Sequence, residues 1–229
     1  MRYRSRFGKT HAWIGLGLAL VAIVCGFHMS QSFATEGRTV RIVALGDSLT
    51  AGYGLAPSAA FPVQLATALK SRGHNVEIIN AGVSGDTTAG GLERLDWAVG
   101  ADADAVILEL GANDALRGIP PDRVRQNLAM ILDRLQARRL PVLVAGMRAI
   151  GNWGDTYTKA FDPIFPDLAR QHGFLLYPFF LEGVATEPRL NLDDGLHPNA
   201  DGIAKIVEGI LPKVEELIAI VRARDLEKT

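Results

Sequence analysis

Four short segments gather the side chains able to do covalent chemistry. They are Gly46-Asp47-Ser48-Leu49-Thr50-Ala51-Gly52, Ala81-Gly82-Val83-Ser84-Gly85-Asp86, Gly111-Ala112-Asn113-Asp114 and Asp193-Asp194-Gly195-Leu196-His197-Pro198. Between them they supply a hydroxyl nucleophile, unhindered backbone N–H groups, a side-chain amide, an imidazole and carboxylates. Acyl transfer needs this set: a base-activated serine attacks a carbonyl while fixed donors hold the oxygen that becomes negative.

The imidazole narrows the choice first. Beyond residue 34 the chain has three histidines. His74 follows Gly73 and His172 precedes Gly173. Those glycines read as helix stops, so both histidines read as solvent-side residues at helix C-termini, where a cation is favoured. His197 is different, because Pro198 keeps it out of helical geometry and on a loop. Asp194 stands three residues earlier, within reach of a turn. A carboxylate on Nδ1 fixes the tautomer and leaves Nε2 free to take a proton. The competing readings are a loop-capping aspartate beside a surface histidine, and Asp193 as the orienting carboxylate.

Ser48 follows an apolar run and a glycine. A serine there also reads as a helix N-cap, and Thr50, Ser84 and Thr87 are rival hydroxyls. Its flanks favour Ser48: Gly46 and Gly52 let backbone and substrate approach closely. At a helix start it also offers its own N–H to an oxyanion. Gly85, through its N–H, and Asn113, through its amide, complete a candidate oxyanion hole. Taken singly, each reads equally as an ordinary turn residue. Asp47, Asp86 and Asp114 lie beside turn glycines and read as ties within their own loops. Without spare histidines nearby they make no metal site.

Alternating apolar and amphipathic stretches must position these segments. Short, branched, largely apolar runs at 40–45, 76–80, 105–110, 141–145 and 174–177 predict strands covered on both faces. Helical spacing predicts helices over 61–71, 122–138, 156–172 and 200–222. Strand and helix in alternation imply an α/β fold with a mainly parallel sheet between helical layers. In such a sheet ligands sit beyond the carboxyl ends of the strands, which is where three of the four segments begin. The mostly charged residues 223–229 are expected to fray.

The N-terminus reads differently. Arg2, Arg4, Arg6 and Lys9 precede an apolar stretch at 12–27, and Ser32-Phe33-Ala34 offers small residues at a cleavage site. Residues 1–34 therefore read as a secretory signal peptide and 35–229 as one domain. The apolar stretch has 16 residues, short of the roughly 20 that span a bilayer. An uncleaved anchor helix is the alternative. The expectation is export, with no stable membrane span after cleavage. Past residue 34 there are 20 bases against 25 acids, a net charge of −5, which gives no support for nucleic-acid binding. The one cysteine, Cys25, lies in the leader, so cysteine chemistry and disulfides are excluded from the domain that follows.

The four segments resemble the signature blocks of the SGNH (GDSL-type) hydrolase family. Gly46–Gly54 (GDSLTAGYG) is similar to its first block, with Ser48 as nucleophile. Gly85 matches the glycine of the second block, Gly111–Asp114 the GxND of the third, and Asp194–Pro198 the DxxHP of the fifth. VSGDTTAGGLERL at 83–95, LRGIPP at 116–121 and DDGLHPNADG at 193–202 look like the periplasmic branch of arylesterases and thioesterase/lysophospholipases. The resemblance implies a three-layer α/β/α sandwich with a five-stranded parallel sheet (a flavodoxin-like fold). It also implies no lid, no metal and no cofactor, a small-molecule or lipid ester as substrate and a periplasmic location; a monomer is expected. The catalytic residues it implies are Ser48, Asp194 and His197, with Ser48, Gly85 and Asn113 as oxyanion hole. Leu116, Ile119, Ile150, Trp153 and Tyr157 could line an acyl groove; ordinary surface packing is the alternative. A carbohydrate O-acetyl esterase and a non-catalytic acyl-ligand-binding protein are the competing functions.

Overall fold

The computed structural model describes residues 37–227. The signal-peptide reading of residues 1–34 lies outside the described residues. Five strands form one sheet: β1 (Val40–Gly46), β2 (Val76–Gly82), β3 (Ala105–Glu109), β4 (Val142–Ala145) and β5 (Leu175–Tyr177). Their order is β2-β1-β3-β4-β5, and every neighbouring pair is parallel. The central strands are buried throughout because helices cover both faces: all five residues of β3 and all four of β4 are buried.

The helices are α1 (Ser48–Ala51), α2 (Phe61–Ser71), α3 (Thr88–Glu93), α4 (Leu95–Ala98), α5 (Ala112–Leu116), α6 (Pro121–Ala137), α7 (Gly154–Phe161), α8 (Ile164–His172) and α9 (Ala200–Leu226). Helices α2 and α9 pack together on one face of the sheet, and α3, α6, α7 and α8 form the other layer. The strand order reverses at β1, so its crossovers leave on opposite faces and the loops after β1 and β3 open a crevice between them. Helix α9 buries Ile203, Ile206, Val207, Ile210, Val214, Leu217 and Val221 at steps of three and four. Phe180, which follows β5, meets Phe61 of α2 edge to face at 5.0 Å.

Three expectations are corrected. The single helix over 156–172 is two helices, broken at Asp162-Pro163, because proline lacks the N–H that a continuous helix needs and restricts the residue before it. Asp162 instead accepts the Ala149 N–H at 2.9 Å, tying the loop after β4 to the junction. The C-terminus does not fray at 223: α9 runs to Leu226 and Asp225 pairs with Arg38 at 2.8 Å. His172 is buried, with Nδ1 on Leu168 O and Nε2 on Asp133, both at 2.9 Å. It lies under Phe174, 5.8 Å away, so packing outweighs the pull of the helix terminus. His74 does stay near the surface, 3.2 Å from Glu215.

Candidate active site

Strand β1 delivers Ser48 to the carboxyl edge of the sheet. Asp47 caps the short helix α1 by accepting the Leu49 N–H at 3.0 Å. Ser48 is its first residue, and the Ser48 N–H makes no hydrogen bond within the described residues. Gly52 ends the helix in the left-handed region, at φ +85°.

The imidazole arrives from the other end of the chain. The loop before α9 is anchored by buried Asn191, whose Nδ2 donates to Val184 O at 2.7 Å and Glu187 O at 2.8 Å. Leu192 N–H donates to His197 O at 2.8 Å, and Asn199 caps α9. His197 Nε2 thereby stands 3.0 Å from Ser48 Oγ, and its Nδ1 2.7 Å from Asp194 Oδ2. Of the two neighbouring aspartates, Asp194 is the one bonded to the imidazole, and Asp193 is exposed. Asp194 Oδ1 accepts the Leu196 N–H at 2.9 Å and the His197 N–H at 3.0 Å. Those two N–H groups, His197's above all, hold the Asp194 carboxyl down at about 2. It is therefore ionised at any pH where the site could work.

Gly85 lies on the loop after β2 with φ +82°, a conformation that disfavours any side chain. Its N–H is free within the described residues, while its carbonyl accepts from Arg117 Nη2 at 2.9 Å. Asn113 stands on α5, and its Nδ2 donates to Asp47 Oδ2 at 3.1 Å. The rival hydroxyls are otherwise engaged or remote. Thr50 is buried and donates to Glu109 Oε2 at 2.6 Å, Thr87 caps α3, and Ser84 is exposed.

The aspartates do more than tie their own loops. Asp86 pairs with Arg94 Nε at 2.6 Å, and Asp114 accepts from Thr88 N at 2.8 Å and Thr88 Oγ1 at 2.6 Å. The correction has a simple cause: adjacent loops converge at the strand ends, so the carboxylates reach across to neighbours. Burial pushes the Asp114 carboxyl up, against the pull of Thr88. Burial likewise pushes Asp47 up to about 6, opposed by Leu49 N–H and the Asn113 amide.

Sequence reasoning missed three residues that shape the site. Glu109, at the end of β3, is fully buried beneath Asp47. Its Oε2 accepts from Thr50 Oγ1 and, at 3.3 Å, from Asp47 N–H, while Oε1 has no partner among the described residues. Burial first, and then nearby Asp47, push its carboxyl well above the usual range. Arg94 is also buried and bonds three groups at once: Asp86, Ala81 O at 2.8 Å and Gly46 O at 2.8 Å. Tyr53 lies over His197, ring centroids 4.5 Å apart. An acid inside the apolar run 105–110 was the available sign for Glu109.

The five groove candidates divide. Leu116, Ile150 and Trp153 are exposed, as are Tyr53, Val83 and Leu196 on the neighbouring loops. Ile119 and Tyr157 pack on the core. Tyr157 Oη donates to Ile119 O at 2.9 Å, and Trp153 Nε1 to Ala115 O at 2.8 Å. Helix α7 and the loop before it thus brace the segment after α5.

The similarities agree with this geometry. Residues 44–205 match the GDSL-like Lipase/Acylhydrolase family. An arylesterase of Vibrio mimicus is 38% identical over 192 residues, 83% of this chain and 94% of that protein. The thioesterase 1/protease 1/lysophospholipase L1 of Escherichia coli is 37% identical over 178 residues, 77% of this chain and 84% of that protein. The crystal structure of AlinE4, an SGNH-hydrolase family esterase, shares 47% identity and a TM-score of 0.67, covering 79% of this chain and 97% of that one. The chain belongs to the GDSL-like lipase/acylhydrolase family.

Proposed function

We propose that the protein is a serine esterase that hydrolyses aryl and acyl esters, and by the same chemistry acyl thioesters or lysophospholipids, through an acyl-enzyme on Ser48. The observation that carries this reading is the unbroken line from Asp194 through His197 to Ser48, at 2.7 and 3.0 Å. His197 Nε2 takes the Ser48 proton as Oγ bonds to the carbonyl carbon. The N–H groups of Ser48 and Gly85 and the Asn113 amide receive the oxyanion. The intermediate collapses, and His197 gives its proton to the departing alcohol or thiol. Water, deprotonated by His197, then releases the acid and restores Ser48. Asp194 stays ionised and orients the imidazole.

The exposed apolar residues Leu116, Ile150, Trp153 and Leu196 favour an acyl or aryl substrate over a polar sugar acetate. Occupancy of every catalytic role speaks against a binding protein. Among the described residues no helix is long and apolar enough to cross a membrane. The basic-then-apolar leader supports export, which N-terminal sequencing of the secreted protein tests.

Hydrolysis of p-nitrophenyl esters of graded acyl length decides the reading. Wild type turns them over, a fluorophosphonate labels Ser48, and Ser48→Ala abolishes both. A folded wild type with no turnover and no labelling would overturn it.

A further inference from the structure

Asn113 poses a problem that its position alone does not solve. A side-chain amide is an oxygen and a nitrogen at the ends of nearly the same shape, and a half-turn exchanges them. In one orientation the Asn113 NH₂ faces the site and can donate to an oxyanion. In the other the amide oxygen faces it and repels the same charge. Something must choose between them before substrate arrives.

We propose that Asp47 is a positioning residue that locks the orientation of the Asn113 amide, so that Asn113 meets the reacting carbonyl as a donor. The inference rests on the reading of Asn113 as an oxyanion donor given above. Asp47 Oδ2 lies 3.1 Å from Asn113 Nδ2, and Oδ1 is already committed to the Leu49 N–H at 3.0 Å. An ionised carboxylate only accepts. The atom facing Oδ2 must therefore be nitrogen, and the second hydrogen of that nitrogen is left for the substrate.

What lies beneath keeps Asp47 in this role. Asp47 is itself fully buried, and its N–H donates to Glu109 Oε2 at 3.3 Å, which seats the whole residue on β3. Two buried carboxyls this close do not both ionise. Both are fully buried, but Glu109 Oε1 has no partner among the described residues while both Asp47 oxygens accept a hydrogen bond, so the uncharged form falls to Glu109 and Asp47 remains the acceptor. Gly46 permits the approach: a Cβ there would collide with Thr50 Oγ1 and Glu109.

Asp47→Asn separates this role from the helix cap. The new amide oxygen can still accept the Leu49 N–H, so α1 keeps its cap. The new NH₂ then faces the Asn113 NH₂. Two donors cannot pair, so Asn113 inverts and presents oxygen to the site. The expected result is a fall in kcat of about 100-fold, comparable to removing an oxyanion donor, with KM nearly unchanged.

The test is a double-mutant cycle on p-nitrophenyl ester hydrolysis with Asp47→Asn, Asn113→Ala and the pair, each checked for folding by circular dichroism. If Asp47 acts through Asn113, the double variant is no slower than Asn113→Ala alone, within about threefold. If the two losses multiply, or if Asp47→Asn keeps kcat within about threefold of wild type, the proposal is overturned. Should Asp47→Asn fail to fold, Asp47→Ser keeps a capping oxygen and faces the same criteria. An Asn113→Ala variant with undiminished kcat would instead refute the oxyanion reading of Asn113, while Ser48→Ala tests the esterase reading independently.

Discussion

Replacing Arg94 with methionine tests how the floor of the site is held together. Arg94 joins the ends of β1 and β2 to the loop that carries Gly85, through Gly46 O, Ala81 O and Asp86. Its side chain is 9% exposed and that of Asp86 13%, so the pair is close to dry. Methionine fills much of the same volume with no charge. It would leave the Asp86 carboxylate buried without a cation and the Ala81 carbonyl short of a donor. Breaking a buried pair in this way costs about 3–5 kcal/mol. For a domain of this size each kcal/mol lowers the melting temperature by about 2–4 °C, so the expected drop is about 10 °C. Scanning calorimetry at neutral pH would measure it, with Arg94→Met/Asp86→Asn alongside. Removing the stranded charge should recover a substantial part of the loss. A single variant that melts within about 2 °C of wild type, or a double variant no more stable than the single, would refute the reasoning.

Two further perturbations probe the layers above and below Ser48. Burial, and then nearby Asp47, push the Glu109 carboxyl of the folded protein well above the range in which the unfolded chain gives up its proton. Folded protein therefore binds more protons than unfolded, and the stability tied to Glu109 falls as pH rises. Glu109→Gln removes that dependence: urea midpoints from pH 5 to 8 should show the variant gaining on wild type, by at most about 1.4 kcal/mol per pH unit. Parallel curves would contradict a neutral Glu109. Tyr53 lies tilted against His197 with ring centroids 4.5 Å apart, where on the proposed mechanism it would meet the imidazolium of the transition state. Tyr53→Ala should lower kcat/KM about two- to fivefold, the worth of an exposed cation–π contact of about 0.5–1 kcal/mol, and an unchanged value would show that the ring contributes nothing.

The sheet and the residues that gather at its carboxyl edge were legible in the sequence because both leave local signs. Short, largely apolar runs marked the five strands, and glycine or proline near Ser48, Gly85, Asn113 and His197 marked the loops that expose them. Pairings across loops leave no such sign. Asp86 and Asp114 looked like turn aspartates, and only the convergence of strand ends gives them Arg94 and Thr88 as partners. Glu109 was hidden by its apolar neighbours, which made it one letter of a strand rather than a second carboxyl beneath Asp47. Helix 156–172 was misread because apolar spacing continues on both sides of Pro163, while the missing N–H that divides it has no periodic signature.

Ser48 and His197 are separated by 149 positions in the chain, yet Oγ of one and Nε2 of the other meet at 3.0 Å. Ser48 follows the first strand, and His197 is fixed only when the final helix docks against α2 and the sheet. No fragment lacking the C-terminal part can bring Ser48 together with His197. Contacts of such long range close late, after the loop entropy between them has been overcome. Hydrolytic competence should therefore arise with completion of the fold rather than in steps. If Ser48 acts as proposed, then in a chain that emerges from its N-terminus it would stay dormant through synthesis, and first turnover would serve as a clock for the docking of the last helix.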